Sequence, residues 1–110
     1  MTTDNPYSRE VVDTESRLAL KLPCTISLTE GAIEGETFNI SYSGIAIELA
    51  PEDDNFDPNA VKSITVPDIG EFEVAVRWKK GLKVGLRFLT KRSSRPVLDA
   101  YFEKIDSYPF

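Results

Sequence analysis

Apolar residues recur at every second position along most of this chain. Side chains of a β-strand point alternately to its two faces, so such a pattern predicts a strand with one buried face. The first run spans residues 20–28, where Leu20, Leu22, Cys24, Ile26 and Leu28 alternate with polar or small residues. The same alternation appears at 38–40, 45–49, 64–66, 72–78 and 82–88. The sequence therefore predicts six strands.

The connections between these runs are short and rich in glycine and proline, which favours antiparallel pairing of neighbours. Lys79-Lys80-Gly81 is the clearest hairpin connection. Six strands that each have one apolar face close most economically into a small barrel, because closure leaves few free edges. We therefore expect an all-β fold, a six-stranded antiparallel barrel. Its predicted core includes Leu22, Ile26, Ile40, Ile47, Val74, Val76, Val84, Leu86 and Phe88.

After Phe88 the apolar period lengthens to that of an α-helix. Val97, Leu98, Tyr101, Phe102 and Ile105 form one helical stripe. The pattern predicts a C-terminal helix from about Ser94 to Asp106, with Ser94 as N-cap and Pro96 in the first turn. Residues 1–16 are polar and follow neither period, so we expect a flexible tail. Residues 17–110 then form a single domain, as suits a chain of 110 residues.

Composition excludes several kinds of chemistry. The chain contains no histidine, so histidine-dependent nucleophile systems and zinc sites with a histidine ligand are excluded. We expect no enzyme, no catalytic residue and no metal site. The net charge of −5 argues against DNA or RNA as a partner. No apolar run is long enough to insert in a membrane, and no signal peptide or internal disulfide is expected, so a cytoplasmic location is predicted.

The charges are unevenly distributed. Residues 77–95 carry eight of the thirteen basic residues and no acidic one. We expect Lys79, Lys80, Lys83 and Arg87 to dock an acidic protein surface, although a solvated hairpin would look the same. The acidic segment 52–57 is expected at another place on the surface, which would make the molecule a dipole. That segment starts like a calcium loop, but Pro58 stands where such a loop needs glycine, so a solvated loop is predicted.

The segment Asn39-x-Ser41-x-x-Gly44 contains the best candidate site residues. If Ile40 points into the core, Asn39 and Ser41 both point outward. Gly44 would allow a turn or the close approach of a ligand. On spacing alone, ordinary solvent-facing strand residues and a turn are the simpler explanation. The lone Cys24 falls in the apolar alternation, which predicts a buried structural thiol.

Three features in sequence order resemble the PilZ family of bacterial cyclic-di-GMP receptors. Arg17 precedes Leu22-Pro23, the Asn39-x-Ser41-x-x-Gly44 segment follows, and Trp78 precedes Gly85-Leu86-Arg87-Phe88. The resemblance implies a six-stranded antiparallel barrel with a flanking helix. It also implies that cyclic-di-GMP binds outside the barrel, through Arg17, Asn39, Ser41 and Gly44. Arginine forks suit this ligand because they bind phosphate and guanine bidentately.

The family's arginine segment, Arg-x-x-x-Arg, is matched only in part. Arg17 takes the second arginine position, and Asp13 stands at the first. In a second register Arg17 is the first arginine and Lys21, in the predicted first strand, replaces the other. Arg9 could also fold back from the tail. Two hypotheses follow: a receptor that binds cyclic-di-GMP, weakly, and relays it to a protein partner, or an adaptor of the same fold that acts only through protein contacts. No other cofactor is expected.

Overall fold

The computed structural model describes residues 16–109. Its strands are β1 (Leu18–Ala19), β2 (Pro23–Leu28), β3 (Ala32–Ile40), β4 (Gly44–Leu49), β5 (Val61–Val66), β6 (Gly70–Lys80) and β7 (Lys83–Phe88), and its helix is α1 (Lys91–Ile105). Two short 3-10 helices, Pro51–Asp53 and Pro58–Ala60, connect β4 to β5. No helix in this part of the chain has the length and apolar character needed to span a bilayer.

Strands β2 to β7 form a closed barrel. Their spatial order is β3-β2-β5-β6-β7-β4, and the pairing of β4 with β3 closes the ring. Every pairing is antiparallel. Each of the six strands therefore has two neighbours, which leaves no free edge among them. The predicted six-stranded antiparallel barrel with a C-terminal helix is confirmed.

The predicted first strand is interrupted between Leu20 and Leu22. β1 and β2 both pair with β3, and the two ladders are separated by Thr37, whose side chain is buried. The backbone N–H of Leu22 donates to Thr37 Oγ1 at 2.9 Å, and the same hydroxyl donates to the carbonyl of Leu20. Backbone bonds flank this bridge, from the Leu20 N–H to the Phe38 carbonyl and from the Thr37 N–H to the Leu22 carbonyl, so the chain follows one edge of β3 as two strands.

The barrel interior holds most of the predicted core. Seven of the nine predicted core residues are buried, while Leu22 and Val76 are partly buried and pack against the others. Leu98, Tyr101 and Phe102 of α1 are buried in the same cluster. β3, β5 and β7 run in one direction, so the turns that follow β3 and β5 lie at one end of the barrel. The helix contacts both turns and covers that end.

α1 begins three residues earlier than predicted. Its N-cap is Thr90, and Ser94 lies inside the helix, buried, with its hydroxyl donating to the carbonyl of Lys91 at 3.3 Å. Pro96 is the sixth helical residue and removes one backbone donor from the helix interior. The predicted start at Ser94 is therefore wrong, because this serine bonds a carbonyl of the preceding turn instead of capping. The predicted end is within one residue, with Asp106 as C-cap.

Candidate functional site

Arg17 and Asn39, which are far apart in sequence, are in direct contact. β1 pairs Leu18 with Ile40 and Ala19 with Asn39, which places Arg17 beside the end of β3. Arg17 Nη1 donates to Asn39 Oδ1 at 2.9 Å in an exposed position. A guanidinium and an amide are thus presented together on the outside of the barrel, where both can form hydrogen bonds with a polar ligand.

Lys21, the alternative second basic residue, is directed elsewhere. It lies in the irregular segment between β1 and β2, so its predicted place in a strand is wrong. Its Nζ is 3.8 Å from Glu36 Oε1, and both side chains are largely exposed. Asp13 and Arg9 lie outside the described residues. Among the basic residues of the predicted arginine segment that the structure describes, Arg17 is the one that contacts the Asn39 segment.

Ser41 is buried, and the prediction that it points outward is wrong. β3 ends at Ile40, so the strand alternation does not extend to Ser41. Its hydroxyl accepts hydrogen bonds from the backbone N–H groups of Ser43 and Gly44, each at 3.3 Å. Its own N–H donates to the Gly44 carbonyl at 2.9 Å. The side chain therefore organises the turn between β3 and β4.

Gly44 is needed for close packing of two strands. Gly44 closes the turn after β3, as expected, since its N–H and its carbonyl both bond Ser41, but it is the first residue of β4 and has no positive φ. An added Cβ would lie 2.2 Å from the Leu86 carbonyl oxygen of β7. Because that neighbour is backbone, any side chain at this position would separate β4 from β7.

Tyr42, which the sequence interpretation passed over, connects this turn to the helix. Its hydroxyl donates to Asp99 Oδ1 at 2.7 Å, and its ring meets Phe102 edge-on at 5.3 Å. The Arg95 guanidinium lies 3.8 Å from the ring centroid. The sequence did contain a signal for this contact, because an aromatic residue in a turn between two strands needs a packing partner outside the sheet.

One register row crosses four strands on the outer surface. Asn39 pairs with Ala46, Ala46 with Gly85, and Gly85 with Trp78. Trp78 is 37% exposed, and an added Cβ on Gly85 would lie 2.2 Å from its Nε1, so the indole lies directly on this glycine. β3 and β6 are three strands apart in the six-stranded ring, so the path from Asn39 to Trp78 runs around the curved wall over three strand spacings of about 4.8 Å each. The two residues between them in this row, Ala46 and Gly85, are small and buried.

The predicted docking residues differ in their surroundings. Lys80, Lys83 and Arg87 are exposed, and Lys83 Nζ lies 5.1 Å from the Phe38 ring centroid. Lys79 instead forms an ion pair with Asp54 at 2.7 Å. The acidic segment 52–57 thus lies against the basic hairpin at this point. The predicted separation of the two charge groups is wrong here, because the loop after β4 folds back onto β6.

Neither the acidic segment nor the cysteine suggests further chemistry. Within residues 16–109 no group of three or more candidate ligands could hold a metal ion. Asp57 caps the second 3-10 helix by accepting from the N–H of Asn59. Cys24 is 3% exposed, and burial raises the pKa of its thiol to about 12. Such a thiol stays protonated and unreactive at neutral pH.

Comparison with known proteins gives one family. The model of the PilZ domain matches residues 13–103, which is most of the chain. No curated protein matches the chain.

Proposed function

The chain belongs to the PilZ domain family, and on this premise we propose that it is a signalling module that binds cyclic-di-GMP on the outer barrel surface and relays it by protein contact. The contact between Arg17 and Asn39 is the observation that carries the proposal. This 2.9 Å contact joins the arginine segment and the Asn39 segment, the two elements that the family uses to bind the dinucleotide. The two residues are already together, so no movement of the barrel is required.

In this proposal Arg17 binds a phosphate or a guanine edge and Asn39 binds the polar edge of guanine. Ser41 and Gly44 support the site by holding the turn, and the Ser41 hydroxyl reaches ligand only if it leaves its backbone partners. Trp78 stands at the other end of this row from Asn39, three strands around the ring, where it could contact a ligand that follows the curved wall. An exposed indole stacks on a base regardless of base identity.

Relay to a partner is assigned to the exposed basic residues of the β6–β7 hairpin, Lys80, Lys83 and Arg87, with Lys79 contributing once its ion pair to Asp54 opens. Lys83 and Arg87 stand on the outer face of β7, on either side of Gly85. A ligand lying over this row would change the surface that these cations present. The proposal includes a cytoplasmic location, which the lone cysteine supports.

A nucleotide-independent adaptor is the second candidate. Two observations favour it: the Ser41 hydroxyl and the space beside Gly44 are both used by the fold itself. Asp13 at the first arginine position also favours it, since a carboxylate repels phosphate. In this case the protein would act only through its protein contacts.

Calorimetric titration of the full chain with cyclic-di-GMP, with GTP and cyclic-di-AMP as controls, separates the two candidates. The receptor proposal expects saturable binding of cyclic-di-GMP that Arg17→Ala weakens roughly ten- to a hundredfold, the loss of one charge-assisted contact. Lys62→Ala is the matched control, because Lys62 is exposed on β5, which pairs with neither β3 nor β4. Absence of binding by the wild-type chain would leave the adaptor.

A further inference from the structure

A cavity of about 370 Å³ lies between the β3–β4 turn and the start of α1. It is lined by Tyr42, Ser43, Lys91, Arg92 and Arg95. Three of these five residues are cations, and none is acidic. The cavity adjoins the Asn39-x-Ser41-x-x-Gly44 segment but contains none of its three named residues.

Arg95 is held in a defined position. Its guanidinium lies 3.8 Å from the Tyr42 ring centroid, and its Nε is 3.5 Å from Asp99 Oδ2. The other oxygen of the same carboxylate accepts the Tyr42 hydroxyl. Asp99 therefore balances one positive charge and orients the guanidinium plane. Because the ion pair uses Nε, the two terminal nitrogens of the fork remain for another acceptor.

Lys91 and Arg92 have no counter-charge within the described part of the chain. Within residues 16–109 neither side chain forms an ion pair or a hydrogen bond. They are the first two residues of α1, whose first turn holds no acidic residue. Cations at this end of a helix oppose its dipole and cost stability. Charges that oppose the helix dipole, with no compensating contact among the described residues, are typical of a functional position.

We propose that Lys91, Arg92 and Arg95 form a binding pocket for a phosphate group of a phosphorylated small molecule. Guanidinium forks bind phosphate oxygens bidentately, and the ammonium of Lys91 adds a point charge. The cavity has the size of a small-molecule site, which matches a phosphate with part of its attached group. The phosphate has two possible sources. One is cyclic-di-GMP extending from Arg17 and Asn39, which rests on the proposed function. The other is a separate phosphorylated molecule.

The experiment is an NMR titration of the ¹⁵N-labelled full chain with three probes: cyclic-di-GMP, GTP and inorganic pyrophosphate. We expect saturable chemical-shift changes at the backbone amides of residues 42–43 and 91–95. The double variant Lys91→Ala/Arg92→Ala should lose at least about tenfold in affinity, and Lys62→Ala should lose nothing. The double variant keeps the fold, because alanine favours helix and both cations are exposed.

Each outcome decides the proposal. Shifts of residues 91–95 with cyclic-di-GMP, together with Arg17 and Asn39, support the pocket with the dinucleotide as source. Shifts of 91–95 with GTP or pyrophosphate alone support the pocket with a separate phosphate, while the proposed function fails. Shifts of Arg17 and Asn39 without 91–95 overturn the pocket and keep the proposed function. No saturable shift at 91–95 with any probe, or undiminished affinity of the double variant, also overturns it.

Discussion

The Tyr42 hydroxyl donates a 2.7 Å hydrogen bond to Asp99 Oδ1 and so joins the β3–β4 turn to the helix that covers the barrel end. This bond, to a charged acceptor, is the main cause that raises the pKa of the Tyr42 phenol. Arg95 and Phe102 contact the same ring. The segment predicted to bind ligand and the first turns of α1 therefore form one connected unit. Any rearrangement of that turn changes contacts at the helix.

The missing first arginine leads to a prediction on affinity. Asp13→Arg should strengthen cyclic-di-GMP binding by roughly tenfold or more, because it replaces a repulsive charge with a charge-assisted donor. Lys21→Ala should leave affinity unchanged, since Lys21 pairs with Glu36. Calorimetry on the three proteins measures both effects. If Lys21→Ala removes binding and Asp13→Arg has no effect, Lys21 is the second basic residue of the segment.

Gly44 leads to a prediction on stability. Gly44→Ala should lower the free energy of unfolding by at least about 2 kcal/mol, because the new methyl group meets the Leu86 carbonyl oxygen and the backbone must shift. Lys80→Ala, on the exposed hairpin, is the control and should change little. Urea denaturation followed by circular dichroism gives both values. Equal stability of Gly44→Ala and wild type would contradict the close packing of β4 and β7.

Cys24 leads to a prediction on pH dependence. Burial raises the pKa of its thiol to about 12 in the folded state, whereas the unfolded thiol ionises near 9.0. Above pH 9 the unfolded state thus binds fewer protons than the folded state, so the free energy of unfolding falls as pH rises. We expect a loss of about 1–2 kcal/mol between pH 8 and pH 10 that Cys24→Ala does not show. Denaturation curves at both pH values measure the difference.

Thiol chemistry checks the same residue independently. A disulfide reagent at pH 8 should leave Cys24 unmodified in the native chain and react once the chain is unfolded in urea. Rapid modification of the native chain would contradict both the burial and the raised pKa.

The outer face of β7 leads to a prediction on partner binding. Lys83→Glu/Arg87→Glu should lose an acidic protein partner in pull-downs from the native host, with the wild-type interaction weakening as salt rises. Lys62→Glu, at an exposed lysine of β5, controls for charge reversal at another surface position. If the double variant retains every partner at low and at moderate salt, these cations do not bind a partner and serve only to keep the surface solvated.

The alternation of apolar residues was sufficient to predict the barrel, but it did not show the break in the first strand or the first half of β3. β3 begins at Ala32, but Gly35 and the exposed Glu34 and Glu36 hide its first half from a pattern based on hydrophobicity. Gly35 is required there because an added Cβ would lie 2.8 Å from the Glu48 carbonyl oxygen. A close approach between two backbones leaves no periodic signal in the sequence.

The candidate site was predicted less completely. Arg17 and Asn39 were identified from spacing and resemblance, and they are in contact. The burial of Ser41 could not be predicted, because it depends on its hydroxyl bonding the N–H groups of Ser43 and Gly44 in the turn that follows Ile40. The contribution of α1 was also missed. Lys91, Arg92 and Arg95 reach the β3–β4 turn only through the way the helix packs, which a linear pattern does not encode.

The break between β1 and β2, opposite Thr37 of β3, divides the molecule into two parts of different stability. β1 is joined to β3 by only two residue pairs, whereas the closed ring of six strands is complete without it. Segments with few contacts open at low free energy while the core remains folded. Amide protons of residues 17–19 should therefore exchange with solvent far faster than those of β6 and β7. The residue that carries the proposed ligand contact can thus be released and recaptured while the barrel keeps its shape.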